Sequence, residues 1–488
     1  MVTRSSIGAA QLERVLGGWQ QGRGPAYRAL AVALRTLVLD GRVPVEIRLP
    51  AERELSGALG VSRTTVAAAY ELLRDEGFLA SRRGSGSWTV LPDGRPMPVA
   101  GLSPFPTDRG GVIDLGVAAL SAPEPWVSAA MVAAVAELPA YTRTHGDFPS
   151  GLQVLRQAVA ERYTQRGLPT GPEQIMVTSG AAVGLNLLLR ALVAPGDRIA
   201  VESPSYANAL QAIRHHGARP VPVPLEEDGW ALDAWAGTLR AAGPSVAYVI
   251  PDFHNPTGLL MPAHQRAELV ASARAAGTRL IVDETMAELA LDREPGTELP
   301  PPLAAFDHSG SVATIGSAGK TFWGGLRIGW IRAEPELIRR IAADRSSLDV
   351  CSPVVEQLAV YRLLTDALPQ VLEFQRHRLR AQRDALAAAL RAELPEWRFR
   401  LPAGGLSLWV RTEEGGVSGS ALAAAAQSFG VWIGSGPRFG VDGVLERFVR
   451  LPYTQPPEVA REAVRRLAAA RSAAAAGGPL PAADFALL

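Results

Sequence analysis

The sequence predicts a multi-domain chain: a small helix-turn-helix head closed by a two-stranded wing, then an α/β body on a mostly parallel sheet. Three observations predict it. Residues 25–90 hold helical apolar spacing in short segments and end in two strand-like runs around a Gly/Ser turn. Residues 91–111, LPDGRPMPVAGLSPFPTDRGG, are rich in proline and glycine and read as a linker of moderate stiffness. From 112 to about 470, apolar runs of strand length alternate with helical stretches, the pattern of strands joined by helical crossovers.

In the head, AYRALAVALRTLVLDG has helical spacing and stops at Gly41. Pro50 opens a second helix, AERELSGALG, with Glu52 and Glu54 in the first turn, where the positive helix end favours acids. Gly60-Val61 makes a turn, and Ser62 can cap a third helix whose Val66, Tyr70 and Leu73 share one face. FLASRRGSGSWTV then supplies the wing. Residues 1–24 read as an ill-defined lead-in and 471–488 as a low-complexity tail. In the body, QIMVTSG, RIAVES, SVAYVIPDF, RLIVDET and SVATIGS read as strands, whose ends are where ligand chemistry gathers in such sheets.

Composition narrows the function. A formal net charge of +1 announces no polyanion partner for the whole chain, leaving a local basic face on the head as the route to nucleic acid. One cysteine, Cys351, excludes an intrachain disulfide and a cysteine-based metal cluster; no metal site is expected. The N-terminus lacks a signal-peptide pattern and no apolar run is long enough to span a bilayer, so a cytoplasmic protein with no membrane partner is expected.

Among 49 Lys plus Arg, Lys320 is the single lysine. A bias that replaces lysine by arginine would spare a lysine where arginine fails; on the count alone, a lysine left by chance reads equally well. A primary amine can lose its proton and form a Schiff base with an aldehyde, which a guanidinium cannot. Pyridoxal 5'-phosphate (PLP) is the aldehyde cofactor this suggests. Such a cofactor needs a phosphate cradle, a carboxylate at the pyridine nitrogen, a donor to the ring hydroxyl and a group over the ring. The cradle is offered by Ser317, Arg327 and the amides of Gly180, Ala181 and Ala182 in TSGAAVGLNLLLR. Asp283 in VDETM, Asn255 in HNPTG and Tyr206 in ESPSY supply the other three. Taken singly, Asp283 reads equally as a turn former, Tyr206 as a core aromatic, Asn255 as a pre-proline turn residue and Arg450 as one end of an ion pair; their common order is what singles them out.

That order, from the glycine turn through E-x-P-x-Y, N-P-T-G, D-E and S-x-x-K to an arginine seven residues on, resembles the fold-type I, PLP-dependent aspartate aminotransferase family. The resemblance covers about residues 112–470 and implies a large mostly parallel domain with a smaller C-terminal α+β subdomain. It implies that Lys320 carries the Schiff base, Asp283 pairs the pyridine nitrogen, Asn255 donates to the ring hydroxyl and Ser317 and Arg327 bind phosphate. Arg450 in RFVRLPY resembles the arginine that grips a substrate carboxylate. Two positions depart from the pattern. Met286 stands where the family has a tyrosine donor, and His145 stands about where relatives place a tyrosine that reaches the phosphate.

Residues 25–90 resemble the winged helix-turn-helix of GntR-type regulators, carried by RLPAERELSGALGVSRTTVAAAYELLRDEGFLASRRGSGSWTV. In that geometry the second helix enters the major groove with Ser62, Arg63, Thr64 and Thr65 at its leading end, Arg53 near the backbone, and Arg82 and Arg83 on the wing. Head, linker and body together resemble the MocR/GabR family of bacterial transcription regulators. This implies a homodimer, domain-exchanged and bound to a double-stranded DNA operator, whose body binds PLP and senses an amine, an amino acid or PLP itself. The alternative is a working aminotransferase with an accessory DNA-binding domain.

Overall fold

The computed structural model describes residues 6–17, 19, 25–39, 42–82, 86–92, 111–292, 299–413 and 416–476. Arg83 and nearly all of the 91–111 linker lie outside the described residues.

The head contains helices α1 (Ala9–Leu16), α2 (Ala26–Leu39), α3 (Glu52–Leu59) and α4 (Arg63–Asp75), followed by the antiparallel strands β1 (Leu79–Arg82) and β2 (Gly86–Thr89). Helix α1 corrects the reading of residues 1–24 as an ill-defined lead-in. Leu12 and Leu16 lie one turn apart and are buried against Leu30, Leu34 and Leu55. Eight residues carry too few apolar positions for the period to stand out beside the glycine-rich stretch that follows. Ser62 caps α4 by accepting from the Thr65 amide at 3.1 Å. The Tyr70 hydroxyl donates to the Pro50 carbonyl at 3.0 Å, tying α4 to the entry of α3 and fixing the angle between the two helices.

The body strands are β3 (Ile113–Leu115), β4 (Ile175–Thr178), β5 (Arg198–Ser203), β6 (Arg219–Glu226), β7 (Gly229–Trp230), β8 (Val246–Val249), β9 (Arg279–Asp283), β10 (Val312–Ser317), β11 (Gly329–Arg332), β12 (Arg398–Phe399), β13 (Ser407–Arg411), β14 (Val431–Ser435) and β15 (Phe448–Pro452). Eight of them form one sheet in the order β4-β11-β10-β9-β8-β5-β6-β7, parallel from β10 through β6. Alternate residues feed two cores. Val177, Leu280 and Val282 face one side, while Met176, Ile281 and Ile315 face the other. Burial on both faces is why these strands read as continuous apolar runs.

Strand β6 pairs with β5 through Arg219, whose amide reaches Asp197, so the intervening Pro220, Pro222 and Pro224 turn to the other edge. Proline has no N–H, so that edge offers no donors along 220–224, and β7 pairs with β6 only beyond them, at Leu225 and Glu226. A second sheet, β12-β13-β15-β14-β3, packs on its own core with the helix Pro457–Ala475. That helix corrects the body boundary drawn at 470. Its apolar stripe of Ala463, Val464, Leu467 and Ala470 holds the last turns in place, and residues 477–488 lie outside the described residues.

Candidate functional site

The parallel strands converge at their C-terminal ends on one pocket. β9 ends at Asp283, β10 ends at Ser317, and the loops after β5 and β8 deliver Tyr206 and Asn255. Lys320 follows β10 on the four-residue helix Ala318–Thr321, and Ala181 and Ala182 open the helix Ala181–Leu192 across the pocket. The chain thus gathers into one cavity residues separated by well over a hundred positions.

The Lys320 Nζ donates to the Ala118 carbonyl at 2.5 Å. Its side chain keeps some exposure into the pocket, yet the amine is enclosed by protein. Burial, then the positive charge of Arg450, hold its pKa down to about 8 against the pull of Asp283, with Arg327 adding to the depression. An amine with that pKa has an appreciable unprotonated fraction near neutrality. Asp283 accepts from the Thr285 amide at 3.0 Å and from the Tyr248 hydroxyl at 2.6 Å. Both contacts fix the carboxylate, and burial, followed by the charge of Asp283, raises the Tyr248 phenol far above its ordinary range, so it stays a donor.

Gly180 has φ of +92°, and a Cβ built there would stand 2.8 Å from an Arg327 guanidinium nitrogen. Glycine lets that guanidinium close over the N-terminus of the helix, making a concave set of donors with the Ser317 hydroxyl. Arg327 is exposed, itself at φ of +51°, and its Nη2 donates to the Ser179 carbonyl at 3.2 Å.

Arg450 on β15 is only 2% exposed. Its Nη1 donates to Asn255 Oδ1 at 3.1 Å, its Nη2 to the Gly116 carbonyl, and its guanidinium lies 4.8 Å from the centre of the Phe439 ring. Burial lowers its pKa to about 10. The Nε of Arg450 has no hydrogen-bond partner among the described residues, although it is buried. An orphaned donor on a buried cation is what an incoming carboxylate would satisfy. Asn255 spends its oxygen on Arg450, which leaves its amide nitrogen free to donate into the pocket.

These features fit PLP. The cradle suits a dianionic phosphate, Asp283 a pyridinium, the Asn255 amide a ring oxygen and Lys320 an aldehyde carbon. Met286 lies in the pocket wall and offers no donor. His145 lies away from the site on an exposed loop, 3.4 Å from Asp147. Sequence reasoning missed Tyr248, which reads as one more core aromatic inside SVAYVI. The available signal was its hydroxyl, which a buried tyrosine must place on a partner.

In the head, the hydroxyls of Thr64 and Thr65 each lie 2.8 Å from Ser62 Oγ, at the exposed N-terminus of α4. Arg63 beside them is exposed and 3.5 Å from Glu52, and Arg53 is exposed on α3. Arg82 ends β1. Arg48, which sequence reasoning passed over, bridges to Trp88 on β2 and stands against Gly86 at the wing turn.

The body therefore belongs to the class I and II aminotransferase family, whose profile matches residues 111–467, and the head matches the GntR family of bacterial regulatory proteins over 26–88. Their union on one chain makes this a member of the MocR/PdxR-type HTH transcriptional regulators. The pyridoxine biosynthesis transcriptional regulator PdxR of Corynebacterium glutamicum is 33% identical over 77% of this chain and 81% of its own length. The probable rhizopine catabolism regulatory protein MocR of Rhizobium meliloti is 29% identical over 76% and 78%. Among solved structures, the body is similar to the α-aminoadipate aminotransferase LysN of Thermus thermophilus in complex with N-(5'-phosphopyridoxyl)-L-leucine. The TM-score is 0.69 at 29% identity, over 76% of this chain and 94% of that one. Aminotransferases of this fold are PLP-dependent. Among the described residues, no helix is long and apolar enough to cross a membrane.

Proposed function

We propose that this regulator holds PLP on Lys320 and senses a small amine, an amino acid or PLP itself, altering its grip on an operator in the cytoplasm. The observation that carries the reading is the chain's only lysine beside a buried Arg450, which bonds Asn255 of the pocket wall and has a buried Nε without a partner among the described residues. Bound there, PLP supplies an aldehyde that an incoming amine can take from the lysine. In this reading Asp283 keeps a pyridine nitrogen protonated and Asn255 donates to the ring oxygen. Tyr206 covers the ring, and Ser317, Arg327 and the amides of Gly180, Ala181 and Ala182 hold phosphate. Arg450 orients the carboxylate. The functional form is a homodimer in which heads are exchanged between chains across the 91–111 linker.

A working aminotransferase is the second reading, favoured by Lys320, Asp283, Asn255 and Arg450 and opposed by Met286, which offers no donor where the family has a tyrosine. Multiple-turnover assays with amino acid and keto acid decide between them. Sensing predicts conversion of the bound cofactor without sustained turnover, whereas turnover at ordinary enzymatic rates, about 1–1000 per second, would contradict it.

On the DNA side, Arg63, Arg53, Arg82, Arg83 and the hydroxyls of Ser62, Thr64 and Thr65 are the proposed contacts. If Arg63 meets a phosphate, Arg63→Ala lowers the slope of log affinity against log salt by about 1 and weakens all sequences alike. Fluorescence anisotropy with labelled duplexes at several salt concentrations reads both quantities. Loss confined to one sequence would instead place Arg63 on a base edge.

A further inference from the structure

Between β14 and β15 runs GPRFGVDGVL, residues 436–445. Phe439, with no exposed surface, is its inner end. The Arg450 guanidinium lies over its ring, and Trp409 meets it edge-on with centroids 5.5 Å apart. The Phe439 carbonyl accepts from the Ser205 amide at 2.8 Å, one residue before Tyr206. Phe439 thus carries the Arg450 guanidinium on its ring and holds, through Ser205, the backbone just before Tyr206 of the pocket wall.

The outer end faces the head. Val444 and Leu445 join Phe439 and Ala207 in a small apolar cluster, and Val45 and Leu91 pack against it from the head. Val45 and Leu91 also pack on the head's own core, so they belong to both units. The Leu445 amide donates to the Leu39 carbonyl, at the end of α2, at 2.5 Å. Leu445 does this from φ of +73°, a costly conformation for a leucine. Arg214 braces the segment through the Val441 carbonyl.

We propose that segment 436–445 is the surface on which the body docks the winged-helix head, and that filling Arg450 with a carboxylate changes this docking through Phe439. The proposal rests on the sensing reading above and adds its route. Its occupant in the exchanged dimer is the winged-helix head of the second copy, making the contacts seen here between Val45, Leu91 and Leu39 and this segment. A carboxylate that draws Arg450 toward itself loosens the guanidinium from Phe439. The strained Leu445 conformation then has an alternative to its bond with Leu39, which gives the head two arrangements to choose between.

Amide hydrogen exchange on the full-length protein tests both parts. Val45→Asp on the head and Val444→Ser on the body are each expected to raise exchange in peptide 440–448 at least tenfold. If both leave it unchanged, the docking surface is refuted, whatever the pocket binds. For the coupling, the cofactor-free protein is filled with N-(5'-phosphopyridoxyl)-L-leucine or with N-(5'-phosphopyridoxyl)methylamine, which lacks the carboxylate. The leucine adduct is expected to alter exchange in peptides 34–47 and 440–448 at least threefold relative to the methylamine adduct. Phe439→Leu should abolish that difference while both adducts still bind by absorbance. Identical exchange with the two adducts, when Arg450→Leu weakens only the leucine adduct, overturns the coupling and leaves the sensing reading standing. Failure of both adducts to bind overturns the sensing reading and the coupling together.

Discussion

Lys320→Ala protein mixed with PLP is expected to hold the cofactor only non-covalently, and borohydride reduction should leave no pyridoxyl group on the peptide that contains position 320. The expected effect is complete because the chain has no other lysine to substitute. Lys320→Arg should behave the same way, since a guanidinium stays protonated at any accessible pH. The wild-type protein adds a pH signature. Only the unprotonated amine attacks an aldehyde, and burial with Arg450 places the Lys320 pKa at about 8. Below that value the ammonium form dominates, so the rate of covalent capture should fall about tenfold per pH unit on acidification and level off above it. A rate that stays flat from pH 6 to 9 would mean that the amine is not the group that captures the cofactor.

The second large effect is on stability. Arg266 is fully buried; its guanidinium donates to Asp252 at 2.8 Å and to the carbonyls of Met261, Pro301 and Pro251. Asp252 lies at the end of the β8 strand run, three residues before Asn255, and shares Arg166 with Glu284, the neighbour of Asp283. Burial raises the Glu284 pKa, with Arg166 pulling the other way. Arg266→Met fills the space but leaves Asp252 buried beside a second carboxylate with one cation fewer. The expected cost is about 3–5 kcal/mol, the usual penalty for removing one partner of a buried pair. Denaturant unfolding followed by a body-specific probe measures it, because head and body need not unfold together. A loss below about 1 kcal/mol would show that water or a neighbouring group replaces Arg266 at no great cost.

The parts of the site legible in the sequence are those that chemistry restricts to one residue type. A lone amine at 320, a carboxylate ending an apolar run at 283 and an asparagine before proline at 255 stand out locally. Parallel strands then bring them to one edge, because all such strands end on the same side. Tyr248 was hidden because a tyrosine amid valines and isoleucines reads as core, and only the fold shows its hydroxyl on Asp283. Helix α1 was hidden by its length. The 436–445 segment was hidden because its meaning lies in the meeting of Phe439 with Arg450 and of Leu445 with Leu39, residues far apart in the chain. Those contacts are set by the β14–β15 pairing and by the seat of the head, neither of which a local pattern encodes.

One measurement bears most directly on the claim that this body is a sensor wired to a DNA-reading head. PLP-loaded full-length protein, with a labelled duplex selected for tight binding, is titrated with a panel of amines and amino acids while cofactor absorbance and DNA anisotropy are read from the same sample. Sensing predicts that one member of the panel changes both signals with a common midpoint and shifts DNA affinity by about 5- to 150-fold, a coupling of about 1–3 kcal/mol. Where PLP is itself the signal, the same correspondence should appear when PLP is added to the cofactor-free protein. Cofactor absorbance that saturates in both titrations while DNA affinity stays constant would contradict it.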